Sequence, residues 1–359
     1  TRIMSTWRSY DDADAALVLQ PTVSNIINQI LDSLERDFGA VMTRCALGLM
    51  TFAVAGVSDN EMQDLLSLDD AVMDSVFQYS QLETRRLPLH VWLRLRGALE
   101  GLVVERDGGC LVWYHRQLKE TAQARYSHDE RKHLHVLLGT YFSDTVDASV
   151  KTNRLIAPQP LTWTDTKVWF PETVINTRRC VEGSYHLCQA GLLSEAADEI
   201  CSFELICACA KIGEGFSLLD NIIQLHSLLK DSSNDIATKV SPDTDITALQ
   251  RRVTHYYYWL RRDMNTIVSN PVTQISDTIT SNQPLTSIAR LDFNRYLDKY
   301  SRSSRNTQNS AAYWSEGWKV GRSLGGRSDF DCIQMTLTGK CYDNTNYLPN
   351  TYVNTNYIS

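Results

Sequence analysis

A tight β-hairpin that follows two predicted helices is the feature that most constrains how this chain can fold. The DGG turn at residues 107–109 separates the β-rich runs LVVER and CLVWY, and a glycine turn between two such runs is a strong hairpin signal. The SDNE motif at residues 58–61 is a capping box that opens one helix, and LP at residues 87–88 opens the next. Helices followed by a two-stranded wing predict a winged-helix module.

Helical periodicity dominates on both sides of this module. Apolar residues recur at helical spacing over residues 22–38, and residues 41–54 are apolar nearly all round, which predicts a central core helix. Residues 176–200 predict a helical hairpin, whose helix pair over 185–200 resembles a single tetratricopeptide-like (TPR-like) unit. The proline-containing stretch 145–171 predicts a loop or an irregular crossover. The predicted fold is therefore mainly α: a winged-helix domain with a small β-hairpin, followed by an α-helical arm of TPR-like hairpins.

The same patterns divide the chain into four segments. Residues 1–40 predict the end of a helical subdomain, residues 41–127 the winged-helix domain, and residues 128–300 a helical domain that includes helices over 246–264 and 284–300. Residues 301–359 predict a polar linker and a tail rich in Asn, Thr and Tyr. The chain begins in what its pattern indicates is the middle of a domain, so we expect it to be part of a longer polypeptide.

Composition narrows the class of protein. The 359 residues are 43% hydrophobic, and their formal net charge of −7 argues against general binding to nucleic acids or anionic membranes. The nine cysteines are an odd number spread over a long chain, which favours reduced thiols over a disulfide framework. We therefore predict a cytoplasmic protein.

Motifs that would carry chemistry are incomplete. GRSLGGRS at residues 321–328 is close to a phosphate-binding loop, but Arg327 stands where that loop needs a lysine, and no strand ending in aspartate follows it. We predict no intact nucleotide-hydrolysing site, and hence no enzymatic activity, for this chain. We predict no metal site either. The spacing of four cysteines favours free thiols in an apolar core: Cys188, Cys201, Cys207 and Cys209. The spacing of three histidines favours a solvated helix start: His128, His133 and His135.

Arginines crowd the predicted helix before the wing: Arg85, Arg86, Arg94 and Arg96. In a DNA-binding winged helix this helix enters the major groove, so Arg85, Arg94 and Arg96 would contact nucleic acid. In the alternative interpretation the helix packs inside a larger assembly and its arginines face solvent or acidic neighbours. The acidic total charge favours the second interpretation.

His115 lies where the last strand of the wing meets the next helix. Free backbone amides and the helix dipole favour an anion there, and a neutral imidazole can donate an N–H to a phosphate oxygen. A structural cap or a core histidine is the alternative, and spacing alone would favour it.

The segment 44–126 resembles the winged-helix domain of signal-transducing NTPases with numerous domains (STAND NTPases). The particular resemblance is to the NACHT and WD-repeat branch, which includes telomerase-associated and apoptotic protease-activating-factor-like proteins. The matching strings are ALGLMTFAVAGVSDNEMQDLLSL, LPLHVWLRLRGALEGLVVERDGGCLVWYHRQLKETAQARY and DERKHLHVLLGTYF. Two later strings, beginning NTRRCVEGSYHLCQAG and YYWLRRDMNTIVSN, are similar to the following helical domain and to the stretch before the WD repeats.

The resemblance implies a role for His115, because in this family the winged-helix histidine contacts the β-phosphate of bound ADP and holds the closed state. Arg116 departs from the aspartate that follows this histidine in the apoptotic branch. The implied cofactor is ATP or ADP, held by an upstream nucleotide-binding domain and not by this chain alone. WD repeats are implied downstream, and residues 301–359 are a candidate for their truncated start.

The implied function is regulatory and scaffolding. The segment would couple the ATP/ADP state of the upstream domain to downstream protein–protein interaction, with oligomerisation on activation and no membrane partner. Two alternatives remain open: a winged-helix nucleic-acid-binding protein, and a helical interaction scaffold without a nucleotide link.

Overall fold

The computed structural model describes residues 20–77, 84–164, 173–231 and 246–269. Within these ranges the protein is mainly helical, as the periodicity predicts, with four short β-strands. The described residues up to Ile200 form one compact unit, and those from Cys201 onward form a second. The predicted helix over 284–300, the GRSLGGRS motif and the predicted linker and tail lie outside the described residues.

The first unit places helices around the predicted hairpin. Its elements are α1 (Val23–Phe38), α2 (Ala40–Phe52), α3 (Asp59–Leu68), α4 (Asp70–Val76), α5 (Leu89–Ala98), β1 (Val103–Arg106), β2 (Cys110–Trp113), α6 (Arg116–Ala124), α7 (His128–Phe142), α8 (Ala148–Arg154), β3 (Thr162–Thr164), β4 (Thr173–Ile175), α9 (Ser184–Ala190) and α10 (Leu193–Ile200). A π-helical turn, Arg179–Gly183, leads directly into α9.

Helix α2 lies at the centre of this unit, as its all-round apolar sequence predicts. All residues from 45 to 53 are buried, and α2 contacts α1, α3, α4, α6, α7 and β2. Gly48 permits close packing, since a Cβ there would lie 2.5 Å from the Leu134 side chain. A helix buried on every side is a scaffold for its neighbours, so α2 fixes where the hairpin and the later helices lie.

The helix that follows α2 starts where the SDNE motif predicts. Ser58 Oγ accepts a hydrogen bond from the Glu61 backbone N–H at 3.4 Å, and Glu61 Oε2 accepts one from the Ser58 N–H at 2.8 Å. These two bonds form the predicted capping box and begin α3 at Asp59. A second capping box, made by Ser127 and Glu130, begins α7.

The second unit contains α11 (Phe203–Ile212), α12 (Gly215–Asp231) and α13 (Ile246–Ser269). Tyr256 and Trp259 of α13 are buried and pack against Phe203, with ring centroids 5.9 and 5.5 Å away. The predicted helix over 246–264 is therefore confirmed, and its buried aromatic side chains belong to this unit's core. Among the described residues, none of the helices combines the length and apolar character that crossing a bilayer requires.

The prediction of a loop over residues 145–171 is wrong in part. Helix α8 lies there, and the Asp147 side chain opens it by accepting the Ser149 N–H at 2.7 Å. Strand β3 also lies there and pairs with β4 in antiparallel register, with Trp163 opposite Val174. Elements this short give no periodicity to detect. The winged-helix and TPR-like assignments and the segment boundaries at 40, 127 and 300 remain predictions.

Candidate functional site

The hairpin is present at the position that the DGG turn indicates. Strands β1 and β2 are antiparallel, with Val103 opposite Trp113 and Arg106 opposite Cys110. Gly108 and Gly109 have φ angles of 77° and 75°, a left-handed conformation that glycine adopts without strain. The turn residues therefore set the register of β2, and with it the position of His115.

Strand β2 is held against the core by the loop before α3. The backbones of Val57 and Leu111 exchange two hydrogen bonds, of 2.9 and 3.3 Å. Gly56 makes this approach possible, because a Cβ there would lie 2.4 Å from the Leu111 carbonyl oxygen. At the end of β2 the Trp113 indole N–H donates to Thr51 Oγ1 of α2 at 3.0 Å. The residues just before His115 are therefore firmly placed.

His115 is the exposed N-cap residue of α6. Its Nδ1 accepts the backbone N–H of Gln117 at 3.3 Å, so the neutral ring carries its proton on Nε2. His115 therefore acts as a structural cap, which is the alternative that spacing alone favours. Its contact with a phosphate anion remains a prediction. Arg116 follows, with a side chain 87% exposed and a 2.6 Å ion pair to Glu120.

A buried polar cluster that the sequence predictions missed lies between the loop before α3 and helix α9. The Glu182 carboxylate is completely buried and accepts the backbone N–H groups of Val54 and Ala55 at 2.9 and 2.8 Å. It also accepts from Arg178 Nη1 at 3.0 Å. We call this group the Glu182 cluster; its side chains are Glu61, His135, Arg178, Glu182 and His186.

Arg178 connects the Glu182 cluster to the start of α3. Its guanidinium donates to Glu61 Oε1 at 2.7 Å and to the Gly56 carbonyl oxygen at 2.6 Å. The same guanidinium lies 4.8 Å from the centroid of the Phe142 ring. Glu61 is also part of the capping box at the start of α3. Arg178 therefore contacts both the loop before α3 and the first turn of that helix.

Two histidines extend the Glu182 cluster to α7. His186 Nε2 lies 2.9 Å from Glu182 Oε2, and His186 Nδ1 lies 2.7 Å from His135 Nδ1. An ionised carboxylate only accepts, so His186 Nε2 carries a proton; one of the two Nδ1 atoms must carry another. The interpretation of His135 as part of a solvated helix start is therefore wrong, because His135 is only 8% exposed.

Comparison with known proteins finds relatives over about half of this chain. NACHT domain- and WD repeat-containing protein 1 of Mus musculus is 32% identical over 221 residues, and its Homo sapiens counterpart is 33% identical over 224. Each match covers 56% of this chain and 14% of the relative. This chain is related to the NACHT and WD-repeat proteins.

A second relative has a shorter match. Human NACHT and WD repeat domain-containing protein 2 is 34% identical over 142 residues, which are 38% of this chain and 8% of that protein. The match to NACHT domain- and WD repeat-containing protein 1 therefore spans about one seventh of the length of that protein, or 14%. No family model and no solved structure matches the chain.

Protonation within the Glu182 cluster follows from its surroundings. Burial alone would raise the pKa of Glu182, but the hydrogen bond from His186 and the charge of Arg178 outweigh it and lower that pKa. Burial and the neighbouring His186 lower the pKa of His135 to about 4. At neutral pH the cluster of this NACHT/WD-repeat relative therefore contains an ionised Glu182 and a neutral His135, each in contact with His186.

The arginines of the alternative nucleic-acid interpretation have partners within the first unit. Arg85 pairs with Asp74 and lies 3.5 Å from Asp70. Arg96 pairs with Asp59 and lies 2.7 Å from Glu105, while Arg94 lies 6.0 Å from the centroid of the Phe38 ring. The contacts of Arg85 and Arg96 agree with the interpretation in which the arginines face acidic neighbours, whereas Arg94 contacts a ring. The prediction that all four arginines lie on the helix before the wing is wrong for Arg85 and Arg86, because α5 begins at Leu89.

The predicted burial of the cysteines is confirmed where the structure describes the chain. Every cysteine there is buried: Cys45, Cys110, Cys180, Cys188, Cys201, Cys207 and Cys209. Burial raises the pKa of Cys188 and of Cys207 to about 12, so both remain neutral thiols at neutral pH. Across the described ranges, no group of three or more potential ligands is placed to hold a metal ion.

Proposed function

We propose that this chain is a regulatory and scaffolding segment of a NACHT/WD-repeat signalling NTPase. It couples the ATP or ADP state of a nucleotide-binding domain to protein–protein interaction made elsewhere in the polypeptide. The observation that carries the proposal is the position of His115: exposed, at the start of α6, and directly after a hairpin anchored in the core. The relatives support it, since their names combine a NACHT domain with WD repeats.

The chemistry of His115 suits a phosphate group. Its Nδ1 is occupied by the Gln117 N–H, which leaves the Nε2–H as the donor. The N-terminus of α6 contributes a partial positive charge to the same region, although the N–H groups of Gln117, Leu118 and Lys119 already donate to His115. In this proposal His115 donates to a phosphate oxygen of ADP that the nucleotide-binding domain holds, and this chain supplies a sensor and no hydrolytic group.

Coupling operates as a shift between two arrangements. A nucleotide can favour one arrangement only by binding it more tightly than the other. Contact between His115 and ADP stabilises the closed arrangement, and loss of that contact on exchange for ATP favours the open one. The open arrangement then exposes surfaces for partners and for oligomerisation.

The test is ADP retention by the full-length polypeptide that contains this segment. We expect His115→Ala to weaken the binding of ADP by about tenfold or more and so to lower the amount that copurifies, because a hydrogen bond to a charged group contributes about 1.5–3 kcal/mol. His128→Ala is the matched control, since His128 is also exposed and also lies at the start of a helix. Unchanged ADP retention in His115→Ala would contradict the proposal.

A further inference from the structure

The Glu182 cluster joins two parts of the first unit that are distant in the sequence. Val54 and Glu182 are 128 positions apart, yet the Val54 N–H donates to the Glu182 carboxylate at 2.9 Å. On one side the cluster contacts the loop 54–56 and includes Glu61 of α3. On the other side it belongs to the turn into α9 and reaches α7 through His135. It is thus a polar contact between the loop before α3 and the later helices.

Direct contacts lead from this cluster to His115. Glu182 accepts from the loop at residues 54 and 55, and Val57 of the same loop pairs with Leu111 of β2. Strand β2 ends at Trp113, two positions before His115. The loop is therefore bonded to Glu182 at one end and, at the other, to strand β2, which ends two positions before His115.

We propose that Glu182 is a positioning residue that makes the hairpin end and helix α9 move as one body. A displacement at His115 then reaches α7 and α9 directly. A buried carboxylate suits this task because it accepts several donors at once, and bonds to an ionised acceptor are stronger than neutral ones. The biological meaning of this connection rests on the function proposed above, whereas the connection itself does not.

Glu182→Gln tests the inference in the full 359-residue chain without nucleotide. Glutamine keeps the shape but loses the charge and one acceptor oxygen. Amide hydrogen exchange, measured residue by residue, should rise by about tenfold or more at Val57 and Leu111. Neither of these amides bonds to Glu182, so a purely local role would raise exchange only at Val54 and Ala55.

Glu199→Gln is the matched control. Glu199 also binds a neighbouring arginine with both oxygens, at 2.7 and 2.8 Å from Arg179, but this pair joins the turn before α9 to α10 and makes no bond to the loop 54–56. We expect exchange at Val57 and Leu111 to stay at the wild-type rate in this variant. Wild-type rates in Glu182→Gln, or equal increases in both variants, would overturn the inference.

Arg178→Lys covers the case in which Glu182→Gln does not fold. Lysine keeps the positive charge but cannot contact Glu61, Glu182 and the Gly56 carbonyl together, as Arg178 does. A smaller rise in exchange is expected at Val57 and Leu111, and no rise would overturn the inference.

If exchange rises as expected but His115→Ala retains ADP, the proposed function fails alone. If exchange does not rise and His115→Ala loses ADP, only this inference fails.

Discussion

His135 is a buried base whose protonation is linked to the stability of the first unit. Its pKa in the folded protein is about 4, below the ordinary value of 6.5. Unfolding therefore takes up a proton between these two values, and stability should fall as the pH falls from about 6.5 to about 4. The expected loss is about 2–3 kcal/mol, because each unit of pKa shift corresponds to about 1.4 kcal/mol.

Urea unfolding of His135→Gln at several pH values measures this contribution. The variant should lose less stability than the wild type over the same pH range, because it has no base to protonate at that position. His128→Gln replaces an exposed histidine and should follow the wild-type curve. Parallel curves for wild type and His135→Gln would show that the acid sensitivity has another origin.

Single-residue roles could be predicted where they depend on neighbours in sequence. The capping function of Ser58 and the placement of His115 at a helix start both follow from local spacing, and the structure has them. The role of His135 could not be predicted this way, because its partner His186 is 51 positions away. A usable signal was present nonetheless: residues 178, 182 and 186 recur at helical spacing as Arg, Glu and His among apolar neighbours.

At the scale of elements, the contact between β2 and the loop before α3 depends on Gly56. Its φ is 84°, and a Cβ would lie 2.4 Å from the Leu111 carbonyl oxygen. Gly56→Ala therefore adds a backbone clash to the strain of a left-handed alanine. We expect its free energy of unfolding to fall by about 1–3 kcal/mol more than that of a variant with the strain alone.

Gly101→Ala provides that comparison. Gly101 has a similar φ of 80°, but nothing lies within 4 Å of where its Cβ would stand. Chemical denaturation of both variants separates the two effects. Equal destabilisation would show that the loop before α3 does not pack tightly against β2. The contact that links Glu182 to the strand before His115 would then be weak.

Elements with strong local chemistry were predictable, and the others were not. The hairpin follows from its glycine turn, and α2 follows from its apolar run, which matches its burial on all sides. Helix α8 has seven residues and strands β3 and β4 have three each, which is too few to show a periodic pattern, so the sequence did not predict them. Their stability comes from tertiary contacts, which local spacing does not encode.

At the scale of the whole molecule, the sequence strings indicated the family and the comparisons support that relationship. Periodicity alone predicts helices, and it does not indicate that any residue contacts a nucleotide. The first unit contributes the physical basis of the proposed coupling, since His115, the anchored hairpin and the Glu182 cluster all lie within it. The function proposed above requires that a change of nucleotide at His115 alters the helices that follow.

Amide hydrogen exchange of α9 and α10 in the full-length polypeptide tests this claim most directly. It should be measured with ADP and with a non-hydrolysable ATP analogue, in the wild type and in His115→Ala. The proposed coupling predicts slower exchange in α9 and α10 with ADP than with the analogue, and no such difference in His115→Ala. Identical exchange of α9 and α10 in the two nucleotide states of the wild type would contradict it.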